Sequence, residues 1–218
     1  MEQRYKCVVF DVDGTLLDTS EGLISAVRYT IEQFGLDPLD EDVIKTFIGP
    51  PIQNSFKRVY GFEDNKINEM ASVFRNRYKS EDLLKAKPYD GIYKVFETLT
   101  ANGIKPAIAT YKRQDYAIKI LEYFHFDRYT DCMYGADFEG KLKKQDIIEL
   151  ALEDAGITDY SEAVMVGDSD NDAIGAEKIG VDFIGVTYGF GFKNREDIQK
   201  FKAIGAADTA LEILKMII

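Results

Sequence analysis

CVVFDVDGTLLDT, residues 7–19, decides how the rest of the chain is read: an apolar run ends directly in two acids, Asp11 and Asp13, followed by the turn residue Gly14. A short run rich in valine with no polar interruption reads as a strand covered on both faces, here over residues 5–10. The acids then stand at the strand's carboxyl end. If the strand's period of two persists, Asp11 and Asp13 point to the same side, and Gly14 with Thr15 lets the chain turn away.

From there to about residue 80 the pattern is purely helical. Leu23, Val27, Ile31 and Phe34 recur at helical spacing before Gly35 and Pro38. Val43, Ile44 and Phe47 precede the IGPP turn at 48–51, and Ile52, Phe56 and Val59 run up to Gly61. Ile67, Met70, Phe74 and Tyr78 form one more stripe at spacings of three and four, and all of these stripes read as packing faces.

After Pro88 the rhythm switches. Helices through Ile92–Leu99, Ala117–Phe124, Ile147–Ala151 and residues 171–179 alternate with strands at 104–110, 132–134, 163–166 and 183–186. A glycine-punctuated loop, YGFGF at 188–192, and terminal helices ending in LEILKMII come after them. Alternation of this kind implies a parallel sheet. The expected fold is α/β, a doubly wound, Rossmann-like parallel-sheet core (1–15 and 86–218) with an inserted α-helical cap domain (16–85). In such sheets ligands collect beyond the strands' carboxyl ends, and three ends carry suggestive residues: Asp11 with Asp13, Thr110, and Asp168.

Composition narrows the partners. The 218 residues carry 27 Lys and Arg against 38 Asp and Glu, a formal charge of -11, which argues against general affinity for nucleic acid or an anionic membrane. An anionic ligand must be received by a local feature. Cys7 and Cys132 offer neither a disulfide framework nor metal-ligand spacing, so a reducing, cytoplasmic setting is expected. The opening MEQRYKCVVFDVDG has too short an apolar run for a secretion signal, and no segment approaches a membrane span.

Asp11, Asp13 and Asp168 are hard oxygen donors at converging strand ends, a set suited to Mg2+. A carboxylate beside such a cation can attack phosphorus once repulsion between the two anions is cancelled, and Asp11 fits that part, with Asp13 placed to move a proton. Taken singly, each signal has a plainer explanation: a solvated turn for DVDGT, a helix cap for GDSDND, a surface residue for any one lysine.

DVDGTLLDT at 11–19, IAT at 108–110 and VGDSDND at 166–172, in this order, resemble the haloacid dehalogenase-like phosphatases over essentially the whole chain. The helical insertion resembles the cap of the phosphoglycolate phosphatase and β-phosphoglucomutase group, and VTYGFGF with GAADTALEI is closer to the phosphatases. The resemblance implies a phosphoric monoester hydrolase acting on a small phosphorylated metabolite through an aspartyl-phosphate. Asp11 would be nucleophile and metal ligand, Asp13 acid/base and ligand through its main-chain carbonyl, Thr110 a hydroxyl donor to the phosphoryl group, and Asp168 the remaining metal carboxylate. Asp172 would support the metal site indirectly.

The family's phosphoryl-stabilising lysine falls among Lys141, Lys143 and Lys144. Lys144 is favoured because it stands at the start of the helix QDIIELALEDAG, although the lysine-proline pair of many relatives is absent. A β-phosphoglucomutase-like mutase shares every core residue and is the enzymatic alternative; a noncatalytic magnesium- or phosphate-binding module is the alternative of another class. A monomer or homodimer is expected. His125 reads as a capping or packing residue, Cys7 as a buried strand residue, and the YGFGF glycines as turn formers or as a wall of the site. Tyr111, Lys112, Lys57, Arg75 and Arg77 are possible anion contacts and are assigned no role.

Overall fold

The computed structural model describes residues 4–49, 51–139 and 141–218, so Pro50 of the IGPP turn lies outside the described residues. The chain divides into two compact units, Met1–Asp18 with Pro88–Ile218, and Thr19–Lys87. The first strand, β1, is Cys7–Phe10.

The second unit is helical: α1 (Ser20–Gln33), α2 (Glu41–Lys45), α3 (Ile52–Tyr60) and α4 (Asp64–Arg77). Val27 and Ile31 of α1, Ile44 and Phe47, Phe56 of α3, and Ile67, Met70 and Phe74 of α4 are buried, so these members of the stripes form its interior, whereas Leu23, Phe34, Ile52 and Val59 are half-buried and Val43 is exposed. A π-helical turn, Tyr78–Asp82, extends α4 and carries Asp82 into that interior. Burial alone would raise the Asp82 carboxyl, but Lys85 at 2.6 Å, Ser25 Oγ at 3.0 Å and Arg77 Nε at 3.0 Å outweigh it and hold the pKa below its usual value. Two of the cations noted in sequence have partners within this unit: Arg77 stacks on Tyr29 as well as pairing with buried Asp82, and Lys57 pairs with Asp64 at the surface.

In the first unit the chain runs through α5 (Ile92–Ala101), β2 (Lys105–Arg113), α6 (Gln114–Tyr123), β3 (Met133–Ala136), α7 (Lys144–Asp154), β4 (Ala163–Gly167), α8 (Asp170–Ile179), β5 (Asp182–Val186), α9 (Arg195–Ile198) and β6 (Gly205–Ala207). Among the described residues these strands form a six-stranded sheet in the order β3-β2-β1-β4-β5-β6, every pairing parallel. This is a doubly wound sheet. Its order reverses between β1 and β4, which makes their carboxyl ends the crevice where ligands bind in such folds.

Side chains alternate along β1 and divide the core into two sides. Phe10 stacks on Phe96 of α5 at 4.9 Å, and Phe96 in turn meets Phe126 at 5.3 Å, forming one side. Cys7 and Val9 face the other side, with Ala107, Ala109 and Ala163 beside them and Ile147, Ile148, Ala151 and Leu152 of α7 on top. Burial pushes the Cys7 thiol up to about 12, so it serves as a small core residue. Continuing the alternation, Asp11 belongs to the α7 side.

Two features depart from the expectation. The strand β6 has only three residues, Gly-Ala-Ala, and carries no apolar run to announce it; its pairing with β5 alone defines it. The last helical segment, Ala210–Met216, is a 3-10 helix rather than an α-helix. No helix of the described residues is long and apolar enough to cross a membrane.

His125 ends α6: it is exposed, its backbone is left-handed with φ 62°, and its N–H donates to the Glu122 carbonyl at 3.0 Å. Among the described residues it is the only non-glycine with positive φ. Left-handed backbone costs an L-residue roughly 1–2 kcal/mol, while glycine loses about 0.4–1 kcal/mol through the unfolded chain. His125→Gly is thus expected to stabilise the protein by about 0.5–1 kcal/mol in urea denaturation; a lower midpoint would show that the imidazole makes a contact worth more than the strain.

Candidate active site

Strand register brings the candidate residues to one level. Phe10 of β1 stands opposite Ile108 of β2 and Val166 of β4, and the Asp11 N–H donates to the Val166 carbonyl at 3.0 Å. Asp11 and Asp168 therefore directly follow β1 and β4, and Thr110 stands at about the same level within β2, two residues past its last pair with β1, because β2 runs on to Arg113. The β2–β3 ladder shifts register between Ala109 and Arg113, a break that frees the segment around Thr110 from regular pairing. Thr110 is buried, and its hydroxyl oxygen accepts the Lys112 N–H at 3.2 Å.

Of the three lysines, Lys144 is the one placed against Asp11. Its Nζ lies 2.6 Å from Asp11 Oδ1 and 2.7 Å from Asp172 Oδ1, and donates to the Ala109 carbonyl at 2.7 Å, so all three ammonium hydrogens have acceptors. Lys143 is exposed just before α7 and Lys141 pairs with Glu139 at the surface. Position is fixed from both ends of the Lys144 side chain. Its main-chain N–H donates to the Tyr111 hydroxyl at 2.9 Å, and Gly175 of α8 lets the two helices close over its stem: a Cβ there would lie 2.8 Å from Lys144 Cγ.

Asp172 lies in the first turn of α8. Its Oδ2 accepts from Ser169 N–H at 3.1 Å and Ser169 Oγ at 2.7 Å, a reciprocal cap that aims the other oxygen at Lys144. Asp168 Oδ2 accepts two main-chain N–H groups, from Phe190 at 2.6 Å and Gly191 at 3.0 Å. The YGFGF loop thus contributes donors to the site. No side-chain pattern marks them in sequence; the nearest signal was glycine spacing straight after a strand.

Asp11, Asp168 and Asp172 each offer an oxygen within 4.8 Å of the others, all three residues being buried. The Asp13 carboxylate stands outside this group and pairs with Lys112 Nζ at 3.1 Å. Two of the three carboxylates, Asp11 and Asp172, share one ammonium, and the third, Asp168, has peptide N–H donors instead. Burial pushes the Asp11 carboxyl up to about 7 against the pull of Lys144, with Asp172, Asp168 and Asp13 adding to the rise. Burial and Asp172 raise Asp168 to about 6, opposed by the N–H groups of Gly191 and Phe190. Burial works against the charge on Lys144, but Asp11 and Asp172 together outweigh it and keep the ammonium protonated. The residual negative charge, close to two units when all three acids are ionised, and the all-oxygen donor set fit a hard divalent cation.

The sequence model of the haloacid dehalogenase-like hydrolases matches residues 8–186. A 5'-nucleotidase from Pseudomonas aeruginosa is 34% identical over 189 residues, covering 86% of this chain and 85% of that protein. A phosphoglycolate phosphatase from Agrobacterium fabrum is 31% identical, covering 84% and 80%. Among solved structures, a candidate phosphatase from Clostridium difficile superposes with a TM-score of 0.92 over 100% of both chains at 33% identity.

Removing the ammonium leaves its acids unpaired in a dry site, so Lys144→Met is expected to lose about 3–5 kcal/mol at pH 8 in chelator. The loss should shrink toward pH 5. Carboxylates whose folded pKa is raised bind more protons folded than unfolded, so stability falls as pH rises through that window, and most steeply without the lysine. Urea denaturation at the two pH values measures this; a loss independent of pH would mean that the lysine acts through packing.

Proposed function

The chain belongs to the haloacid dehalogenase-like hydrolase family and is a phosphoric monoester hydrolase, and from that premise we propose that it is a magnesium-dependent phosphatase acting on a small phosphorylated metabolite through an aspartyl-phosphate on Asp11. One observation carries the reading. Asp11 sits at the sheet's topological switch point, 2.6 Å from a buried ammonium and inside a group of three carboxylates whose oxygens lie within 4.8 Å of one another.

Carboxylates of Asp11 and Asp168, with the main-chain carbonyl of Asp13, would hold Mg2+; Asp172 stands near enough to join them or to act through its neighbours. The cation, when bound, would supply charge cancellation between the Asp11 carboxylate and the approaching phosphate. Asp11 then forms a bond to phosphorus while the bond to the leaving oxygen breaks, and Asp13 gives that oxygen a proton. Lys144 Nζ and the Thr110 hydroxyl stabilise the charge on the transferring group from fixed positions, so little reorganisation is needed at the moment of transfer. Asp13 next takes a proton from water, which attacks the aspartyl-phosphate and releases inorganic phosphate. The relatives are named for a nucleotide and for phosphoglycolate, and these two compounds head the substrates to test.

In a phosphate-release screen over phosphoglycolate, nucleoside 5'-monophosphates and sugar phosphates, Asp11→Asn should lower kcat/KM by roughly 10³-fold or more on any ester that the native enzyme turns over, and chelator should abolish turnover. Full turnover by Asp11→Asn would sink the nucleophile assignment.

Magnesium must also compete with protons for acids that stand at about 7 and about 6. The rise in Tm on adding saturating magnesium is therefore expected to be larger at pH 8 than at pH 5.5. An equal rise at both pH values would count against these acids as ligands.

A further inference from the structure

Residues 188–192 lie beyond the stretch matched by the family, yet they touch both halves of the site. Phe190 and Gly191 give their N–H groups to Asp168 Oδ2 at 2.6 and 3.0 Å, and the Phe192 N–H donates to the Asp168 main-chain carbonyl at 2.7 Å. Tyr188 reaches the other way, its hydroxyl donating to the Thr15 carbonyl at 3.1 Å while its ring packs on Tyr89 at 4.7 Å. Glycines make this approach possible. A Cβ on Gly189 would stand 2.2 Å from the Gly14 carbonyl oxygen and 2.5 Å from Asp168 Oδ2; a Cβ on Gly191 would stand 2.3 Å from the Asp168 carbonyl oxygen. From the opposite side Gly14, at φ 81°, has room for no Cβ either, since one would lie 2.2 Å from Asp168 Oδ2.

A carboxylate oxygen has two lone-pair positions, and on Oδ2 of Asp168 both are taken by N–H donors. Charge-assisted bonds of this length hold a side chain far more firmly than rotamer preference does. We propose that residues 188–192 form a main-chain clasp that fixes Asp168 in one rotamer, occupies Oδ2 and presents Oδ1 to a bound divalent cation, so that this segment sets the affinity of the site for magnesium. Phe190 and Gly191 are positioning residues: they act through Asp168 and not on the substrate. The clasp rests on the magnesium reading of the site.

The test is calorimetric titration of Mg2+ into the metal-free native protein and into Gly189→Ala, Phe190→Pro and Tyr188→Phe. The first disturbs the packing around Asp168, the second deletes one of its two donors, and the third removes only the bond to Thr15. Outer contacts of metal ligands typically govern affinity by 10- to 100-fold. Gly189→Ala and Phe190→Pro should each weaken magnesium binding by about that factor, with the activity lost at low magnesium returning when magnesium is raised; Tyr188→Phe should stay within about 2-fold. In the native protein the amide resonances of Phe190 and Gly191 should shift on magnesium addition, a readout that needs no variant to fold. Native-like affinity in both disrupting variants, or amides that do not respond while magnesium binds, would overturn the clasp and leave the phosphatase reading standing. A native protein that binds no magnesium would overturn the metal assignment and the clasp with it.

Discussion

The Lys144 ammonium lies between the carboxylates of Asp11 and Asp172, with the Ala109 carbonyl as its third acceptor, and almost every local feature around it serves to keep it there. Helix α7 must begin where its first residue can reach across the sheet edge, and α8 must pass close enough for its glycine to cover the aliphatic stem. A buried lysine is costly by itself. Here the cost of burial is offset by two acids, and the acids in turn are tolerable only because the lysine is present. The third acid, Asp168, is not in that exchange and is held by peptide N–H groups instead.

The helical unit solves the same problem with the opposite balance. Asp82 is a single buried carboxylate served by two cations and a hydroxyl, and its pKa is lowered, whereas the three acids at the sheet edge outnumber their one cation, and Asp11 and Asp168 are raised. The first arrangement is complete in itself and reads as structural. The second is deficient in positive charge, which is the physical mark of a place meant to receive some.

Much of this was legible from residue types. DVDGT after an apolar run placed two acids at a strand end, the switch from helical stripes to alternation located the sheet, and the position of Lys144 at a helix start separated it from Lys141 and Lys143. What escaped was carried by backbone. β6 is three small residues paired to β5, and the donors at Asp168 are peptide groups whose side chains, a phenylalanine ring and nothing at all, say nothing of their role. The Tyr111 hydroxyl that receives the Lys144 N–H was likewise out of reach, because a tyrosine 33 positions away has no sequence relation to a helix start.

β1 and β4 lie in the interior of the sheet, with β3 and β6 at its margins. Edge strands and terminal turns are the parts of a fold that open by local fluctuation, whereas central strands exchange their amide hydrogens only when the domain opens as a whole. The amide of Asp11, bonded to the Val166 carbonyl between these two central strands, is expected in that slowest class. Opening at the margins of the sheet thus leaves the pairing of β1 with β4, and with it the main-chain position of Asp11, in place.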